Sequence, residues 1–176
     1  ITGPAWVMLP RVLWVNRYDG IDDYITLANG AVLNGLTACG GSVWVNTDSL
    51  AAGRCILGKW TVASTQNQIL FRISTTGAIQ LYLSDAITDG GANNAVTAAG
   101  AVVINTWYCI GFNFDGAGVG NAARLQIYKN GVSQSLTFGG TIPASFTSAT
   151  GNLRWGISGD EGESDFSGQM GLYDLN

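Results

Sequence analysis

Leu125-Gln126-Ile127-Tyr128-Lys129-Asn130-Gly131-Val132 alternates apolar with polar side chains and then meets Asn-Gly. A period of two sets Leu125 and Ile127 on one face of a strand and Gln126 and Tyr128 on the other. Asn-Gly between strand residues accepts the positive φ angles of a type I′ turn, so the stretch predicts a hairpin. The same period recurs at Ile69, Phe71 and Ile73, at Ile79, Leu81 and Leu83, at Ile110, Phe112 and Phe114, and at Leu153, Trp155 and Ile157. Arg72, Gln80, Tyr82, Asn113 and Arg154 fall between these, and Arg124 precedes Leu125, so all point away from the core. Strands that are apolar on one side only belong to sheets with one wet face, which predicts two antiparallel sheets packed as a β-sandwich. Further strands are expected at residues 12–17, 24–27, 42–46, 56–60, 94–97 and 169–173, for about 11–12 in all at sandwich spacing. No window has a helical period; the longest loops are expected at residues 84–93 and 139–152.

Composition agrees with an all-β chain. Of 176 residues, 11% are charged, 47% are hydrophobic and 25 are glycine, which favours short strands and tight turns in one domain. A net charge of -4 with Lys59 and Lys129 as the only lysines gives no basic footprint for phosphate backbones, so nucleic acid is not an expected partner. Cys39, Cys55 and Cys109 cannot all pair and have no zinc-site spacing; each sits among apolar strand residues and is expected as a buried free thiol. The apolar run from Ala5 to Val15 is broken by Pro10 and Arg11, too short for a membrane span, and no signal-peptide pattern precedes it. A start at Ile1 without methionine leads us to expect flanking sequence. The segment from Ile1 to Val15 carries Trp6, Trp14, Met8, Pro4 and Pro10. It is expected to be a first strand or an apolar arm that docks on other subunits of an assembly, ahead of a domain at residues 16–176.

The order of several further signals carries a resemblance. Tyr18-Asp19-Gly20-Ile21-Asp22-Asp23-Tyr24-Ile25 comes first, then Ser42-Val43-Trp44-Val45 and Ile56-Leu57-Gly58-Lys59-Trp60. Thr106-Trp107-Tyr108 enters a strand that ends Phe114-Asp115-Gly116, the hairpin follows, and Phe166-Ser167-Gly168-Gln169-Met170-Gly171-Leu172-Tyr173 closes the series. From residue 16 onward the chain resembles a laminin-G-like domain of the concanavalin A-like lectin/glucanase superfamily. The resemblance implies a jelly-roll sandwich. It also implies a non-catalytic module of the kind found in adhesins, extracellular enzymes, receptors and bacteriophage virion proteins, binding glycans or proteins, often with calcium. Cys109 and Ile110 depart from the polar residues that relatives often carry after the Trp-Tyr pair.

The chain has no histidine, which removes the usual general base and the imidazole metal ligands together. No catalytic residue is assigned. Glucanases of the superfamily carry a Glu-x-Asp-x-x-Glu spacing; Glu163-Ser164-Asp165 begins it, but Gly168 stands at the third position, leaving a degenerate glycoside hydrolase as the weakest reading. Asp160, Glu161, Glu163 and Asp165 crowd one Gly-containing stretch, and with Asp19 they form a candidate calcium site; the plain alternative is an exposed acidic loop. Asp19, Asp22 and Asp23 also suit a turn in which carboxylates accept backbone N–H bonds. Among the tryptophans, Trp44, Trp107 and Trp155 are expected in the core and Trp60 is expected to be partly exposed. Arg72, Tyr82, Arg124, Tyr128 and Arg154, with Trp60, would form a patch for glycan hydroxyls or acidic sugars if their strands are neighbours; the alternative is a plain solvated face. The expected role is an adhesion or carbohydrate-binding module on a virion surface or extracellular protein, with a glycan or surface protein as partner. The second reading is a structural decoration or assembly protein of a virus particle without a sugar ligand.

Overall fold

A computed structural model describes residues 15–27, 31–61, 67–86, 91, 93–159 and 165–175. In chain order the strands are β1 (Asn16–Asp19), β2 (Ile25–Leu27), β3 (Ala38–Thr47), β4 (Arg54–Lys59), β5 (Ile69–Ile73), β6 (Ile79–Leu83), β7 (Asn94–Val96), β8 (Tyr108–Asp115), β9 (Leu125–Lys129), β10 (Val132–Ser133), β11 (Thr137–Gly139), β12 (Leu153–Trp155) and β13 (Ser167–Leu175). One helical turn, α1 (Asn121–Arg124), precedes β9. The first sheet has the order β1-β13-β3-β8-β9-β10 and the second β11-β7-β6-β5-β4-β12-β2. Every strand pair is antiparallel; a single bridge, Trp60 to Gly159, is parallel. This is the expected sandwich.

The four alternating sets are buried as the period requires, and the facing sheets interlock through aromatic edges. Phe71 of β5 meets Phe112 of β8 at 5.4 Å between ring centroids in a T-shaped contact, the geometry favoured by the ring quadrupole. Phe114 meets Phe146 in the same manner at 5.0 Å, which fixes the long connection before β12 onto the core. The hairpin is also as predicted: Asn130 and Gly131 have φ of 51° and 78°, and Val132 pairs with Lys129.

Several expectations change. Thirteen strands stand among the described residues, not 11–12, because the short β11 is added to the edge of the second sheet by pairing with β7. β3 starts four residues before the expected 42, since Gly40 and Gly41 stay in register with Asn113 and Phe112. The helical turn α1 was not expected. Residues 1–14, the bulk of the expected arm, lie outside the described residues.

Candidate functional site

Adjacent strands β5 and β6 place Arg72 opposite Gln80 and Leu70 opposite Tyr82. Ile69, Phe71, Ile79 and Leu81 face the core, so Arg72, Gln80 and Tyr82 share the outer face of the second sheet. Arg72 Nε donates to Gln80 Oε1 at 2.8 Å and Arg72 Nη2 donates to Tyr82 Oη at 3.1 Å. The guanidinium carbon also lies 5.0 Å from the Tyr82 ring centroid, within cation–π range. Tyr82 in turn leans on Trp60, with ring centroids 5.9 Å apart. Trp60 is 8% exposed and, with Cys55, Leu70 and Tyr82, forms a small apolar cluster separate from the main core. It was expected to be partly exposed; it is a support beneath Tyr82 instead.

Beside this group lies a depression of about 350 Å³ lined by Gly53, Arg72, Ser74, Thr75, Thr76 and Gln80. Ser74 Oγ accepts from the N–H groups of Thr76 and Ala78 at 3.3 and 3.1 Å, which shapes the β5–β6 turn and leaves Thr75 and Thr76 exposed at the rim. Among the described residues no carboxylate reaches salt-bridge distance of Arg72; the ion pair present is Arg17 with Asp48 at 2.6 Å. Arg72 is thus a cation oriented by neutral partners at the edge of a hydroxyl-lined hollow. Such a fork can bind a carboxylate in two-pronged fashion or a vicinal pair of hydroxyls.

The other predicted patch residues are dispersed. Arg154 is on the same outer face, with its guanidinium 4.9 Å from the Tyr24 ring centroid and Nη1 donating to Gly159 O at 2.8 Å. It is cut off from Arg72 because the chain after β12 crosses the outer side of β4, where the Ser158 Cα stands 2.5 Å from the place of a Cβ on Gly58. Arg124 donates to Gly118 O and Ile142 O at 2.9 and 2.6 Å, so it ties α1 to its neighbouring loops. Tyr128 is on the first sheet, and its hydroxyl donates to Gln126 Oε1.

Asp19, Asp22 and Asp23 are exposed and bring carboxylate oxygens within 4.8 Å of one another. They also serve their turn: Ile21 N donates to Asp19 Oδ1 at 2.8 Å and Asp19 N donates to Asp23 Oδ2 at 2.9 Å. Asp160, Glu161 and Glu163 lie outside the described residues. Asp165 is buried, against the expectation of an open acidic loop, and its carbonyl accepts from Arg54 Nη1 at 2.9 Å. Gly168 has φ of +136°, and a Cβ there would stand 2.1 Å from Asn46 O.

Three features went unread in the sequence. Trp44 and Trp107, expected in the core, are 40% and 37% exposed; only Trp155 of that group is buried. Cys109 is half-buried, whereas Cys39 and Cys55 are buried free thiols as expected. Lys59 is buried, donating to Ala149 O at 2.6 Å and to Asn34 Oδ1 at 3.4 Å, and burial pulls its pKa down to about 8. Gln68 Nε2 donates to the same Asn34 oxygen at 2.8 Å, so these side chains anchor the loop that follows Phe146.

Residues 19–173 match the family model of the concanavalin A-like lectin/glucanases superfamily. The chain belongs to that superfamily. Solved structures with this concanavalin A-like fold include the CBM40 of Ruminococcus gnavus IT-sialidase bound to α2,3-sialyllactose. It shows 13% identity and a TM-score of 0.66, over 92% of this chain and 90% of that one. The native heptameric SAP-like pentraxin from Limulus polyphemus aligns with 14% identity and a TM-score of 0.63, over 90% and 73%. Domains LG4-5 of the mouse laminin α1 chain align with 14% identity and a TM-score of 0.63, over 94% and 41%. No curated protein matches the chain. At these identities the likeness establishes the fold, a laminin-G-like concanavalin A-like sandwich. Another neighbour of this fold is domain 4 of AbnA, a GH43 extracellular arabinanase from Geobacillus stearothermophilus, in complex with arabinotriose. Among the described residues no helix is long and apolar enough to cross a membrane.

Proposed function

We propose that the protein is a non-catalytic glycan-binding module of the adhesion type, which holds a sugar bearing a carboxylate at the Arg72 hollow. The observation that carries this reading is the Arg72 guanidinium, aimed by Gln80 and Tyr82 with no carboxylate at salt-bridge distance among the described residues, at a rim of Ser74, Thr75 and Thr76. A hollow of about 350 Å³ fits the size of small-ligand sites and accepts a terminal sugar better than a buried chain. Neighbouring folds solved with sialyllactose and arabinotriose support a glycan as ligand.

The absence of catalysis is supported by the chain's lack of histidine and by Gly168, whose position in the strand has no room for the third carboxylate of a glucanase pattern. Display on a virion surface or an extracellular protein is part of the proposal; three unpaired cysteines are consistent with folding in a reducing compartment before exposure. A segment from Ile1 to Val15 docking on other subunits belongs to the same picture. Calcium would belong at Asp19, Asp22 and Asp23, and a calorimetric titration with calcium tests it: heat that disappears in Asp22→Asn supports the ion, and a flat trace assigns these carboxylates to the turn alone.

A glycan array probed with the domain tests the main reading. Binding concentrated on acidic glycans is the expected result. Silence across the array would favour a structural assembly protein without a sugar ligand.

A further inference from the structure

The outer face of the first sheet differs in chemistry from the Arg72 hollow. Val43 and Val45 are in the core, so Trp44 between them projects outward from β3. Tyr108 packs against the core, so Trp107 immediately before it projects the opposite way, to Trp44's side. Trp44 pairs across the sheet with Cys109, which sets Trp107 as its diagonal neighbour at roughly 7–8 Å, within reach of aromatic side chains. On β9, Leu125 and Ile127 are in the core, so Gln126 and Tyr128 complete the outer face. Ser42 pairs with Gly111 and Gly111 with Tyr128, which puts Tyr128 two strands from Trp44 and roughly 12 Å away by strand spacing and rise.

The surroundings of these rings are open. The partner of Trp44 on β13 is Gly171, and the partner of Tyr128 on β8 is Gly111. Gly111 is fixed by packing, since a Cβ there would come 2.5 Å from Gly41 O, and its lack of a side chain leaves the flank of Tyr128 bare. A large aromatic surface exposed on a sheet, with no covering element among the described residues, marks an interaction site. The strip from Trp107 through Trp44 and Cys109 to Tyr128 carries no charge, and its polar groups are the side chains of Asn46, Ser42 and Gln126. Arg17, Asp19 and Asp115 are charged residues of this sheet's outer side that lie off the strip, and the exposed Asp174 borders it as the cross-strand partner of Ser42.

We propose that this strip is a second carbohydrate-binding surface, which takes an extended neutral polysaccharide with sugar rings stacked on Trp44, Trp107 and Tyr128. Flat indole faces suit the C–H faces of pyranoses, and the amide side chains of Asn46 and Gln126 at the two ends of the strip suit hydroxyls. With no cation on the strip and the Asp174 carboxylate at its edge, a neutral polymer is selected over an acidic one. The spread from Trp107 to Tyr128 exceeds a single sugar ring, so the occupant is a chain. A protein partner would be expected to bring a contiguous apolar core to its docking site, and here Ser42 and glycines interrupt the aromatics. The surface is separate from the Arg72 hollow and stands or falls without it.

Native affinity electrophoresis of the full chain in gels containing hydroxyethylcellulose, xyloglucan, galactomannan or dextran tests the proposal. Retardation of the wild-type protein by at least one polymer is expected, with affinity about tenfold weaker in Trp44→Ala and in Trp107→Ala and largely kept in Trp44→Phe. An unchanged melting transition verifies that each variant is folded. Passage of the wild type through all four gels without retardation overturns the proposal, as does equal retardation of Trp44→Ala and Trp107→Ala. Self-association of the wild type in sedimentation that Trp44→Ala abolishes also overturns it and assigns the strip to a contact between copies.

Discussion

Raising the pH from 7 to 10 should first stabilise and then destabilise this domain, for reasons carried by four buried or half-buried groups. Lys59 is buried, and burial lowers its pKa from 10.5 to about 8 in the folded protein. Below pH 8 both folded and unfolded chains carry this proton and the burial penalty is fully felt. As the pH passes 8 the folded chain releases it while the unfolded chain keeps it up to 10.5, so stability rises with pH at up to about 1.4 kcal/mol per unit. The cysteines act in the opposite sense. Burial raises the Cys39 pKa from 9.0 to about 12, and it raises those of Cys55 and Cys109 as well. Their contribution is complete below pH 9 and is lost above it, where the unfolded thiols ionise and the folded ones do not. Several thiols then outweigh one lysine, so stability should peak between pH 8 and 9. Urea unfolding followed by tryptophan fluorescence at half-unit steps would read a gain of a few tenths of a kcal/mol from pH 7 to about 8.5, followed by a fall of about 1 kcal/mol or more by pH 10. Lys59→Met should remove the rise and keep the fall. A wild-type curve that falls steadily from pH 7, or a rise that survives in Lys59→Met, refutes the reasoning.

Other consequences follow from particular contacts. Gly168→Ala places a Cβ 2.1 Å from Asn46 O at a φ of +136°, so it should destabilise by more than about 2 kcal/mol in chemical unfolding. Phe71→Ala removes a ring from the interface of the two sheets, where it contacts Phe112 at 5.4 Å, and should cost about 3–5 kcal/mol. Thiol titration of the native protein should modify Cys109 alone, and slowly, with Cys39 and Cys55 reacting only after denaturation.

The sandwich could be read from sequence because one-sided burial leaves a period of two, and that period at β5, β6, β8 and β9 survives no other fold class. Asn130-Gly131 gave the hairpin through backbone sterics alone, a purely local cause. What escaped were features that depend on which strands are neighbours. Arg72 and Tyr82 come together because β5 and β6 are adjacent, whereas Tyr128 and Arg124 sit on the other sheet, and nothing local distinguishes the cases. Trp155 is in the core as expected, but Trp44 and Trp107 are not, because bulk alone does not decide burial. The alternation Val43-Trp44-Val45 already set Trp44 against two core valines, and giving the period precedence over side-chain size would have placed it outside. Trp60 departs in the opposite sense: the polar residues after it point to exposure, yet it follows a strand buried on both faces and packs in the small cluster of Cys55, Leu70 and Tyr82. Lys59 could not have been foreseen, since its partners Asn34 and Ala149 are remote in sequence and meet it only after folding.

The central claim is that an Arg72 fork with neutral partners is the seat of a carboxylated sugar. It is tested most directly by probing one array of acidic and neutral glycans with the wild type and with Arg72→Ala side by side. The account predicts acidic glycans bound by the wild type and released in Arg72→Ala, with the melting transition unchanged. Acidic glycans held equally well by both proteins, or by neither, would contradict it.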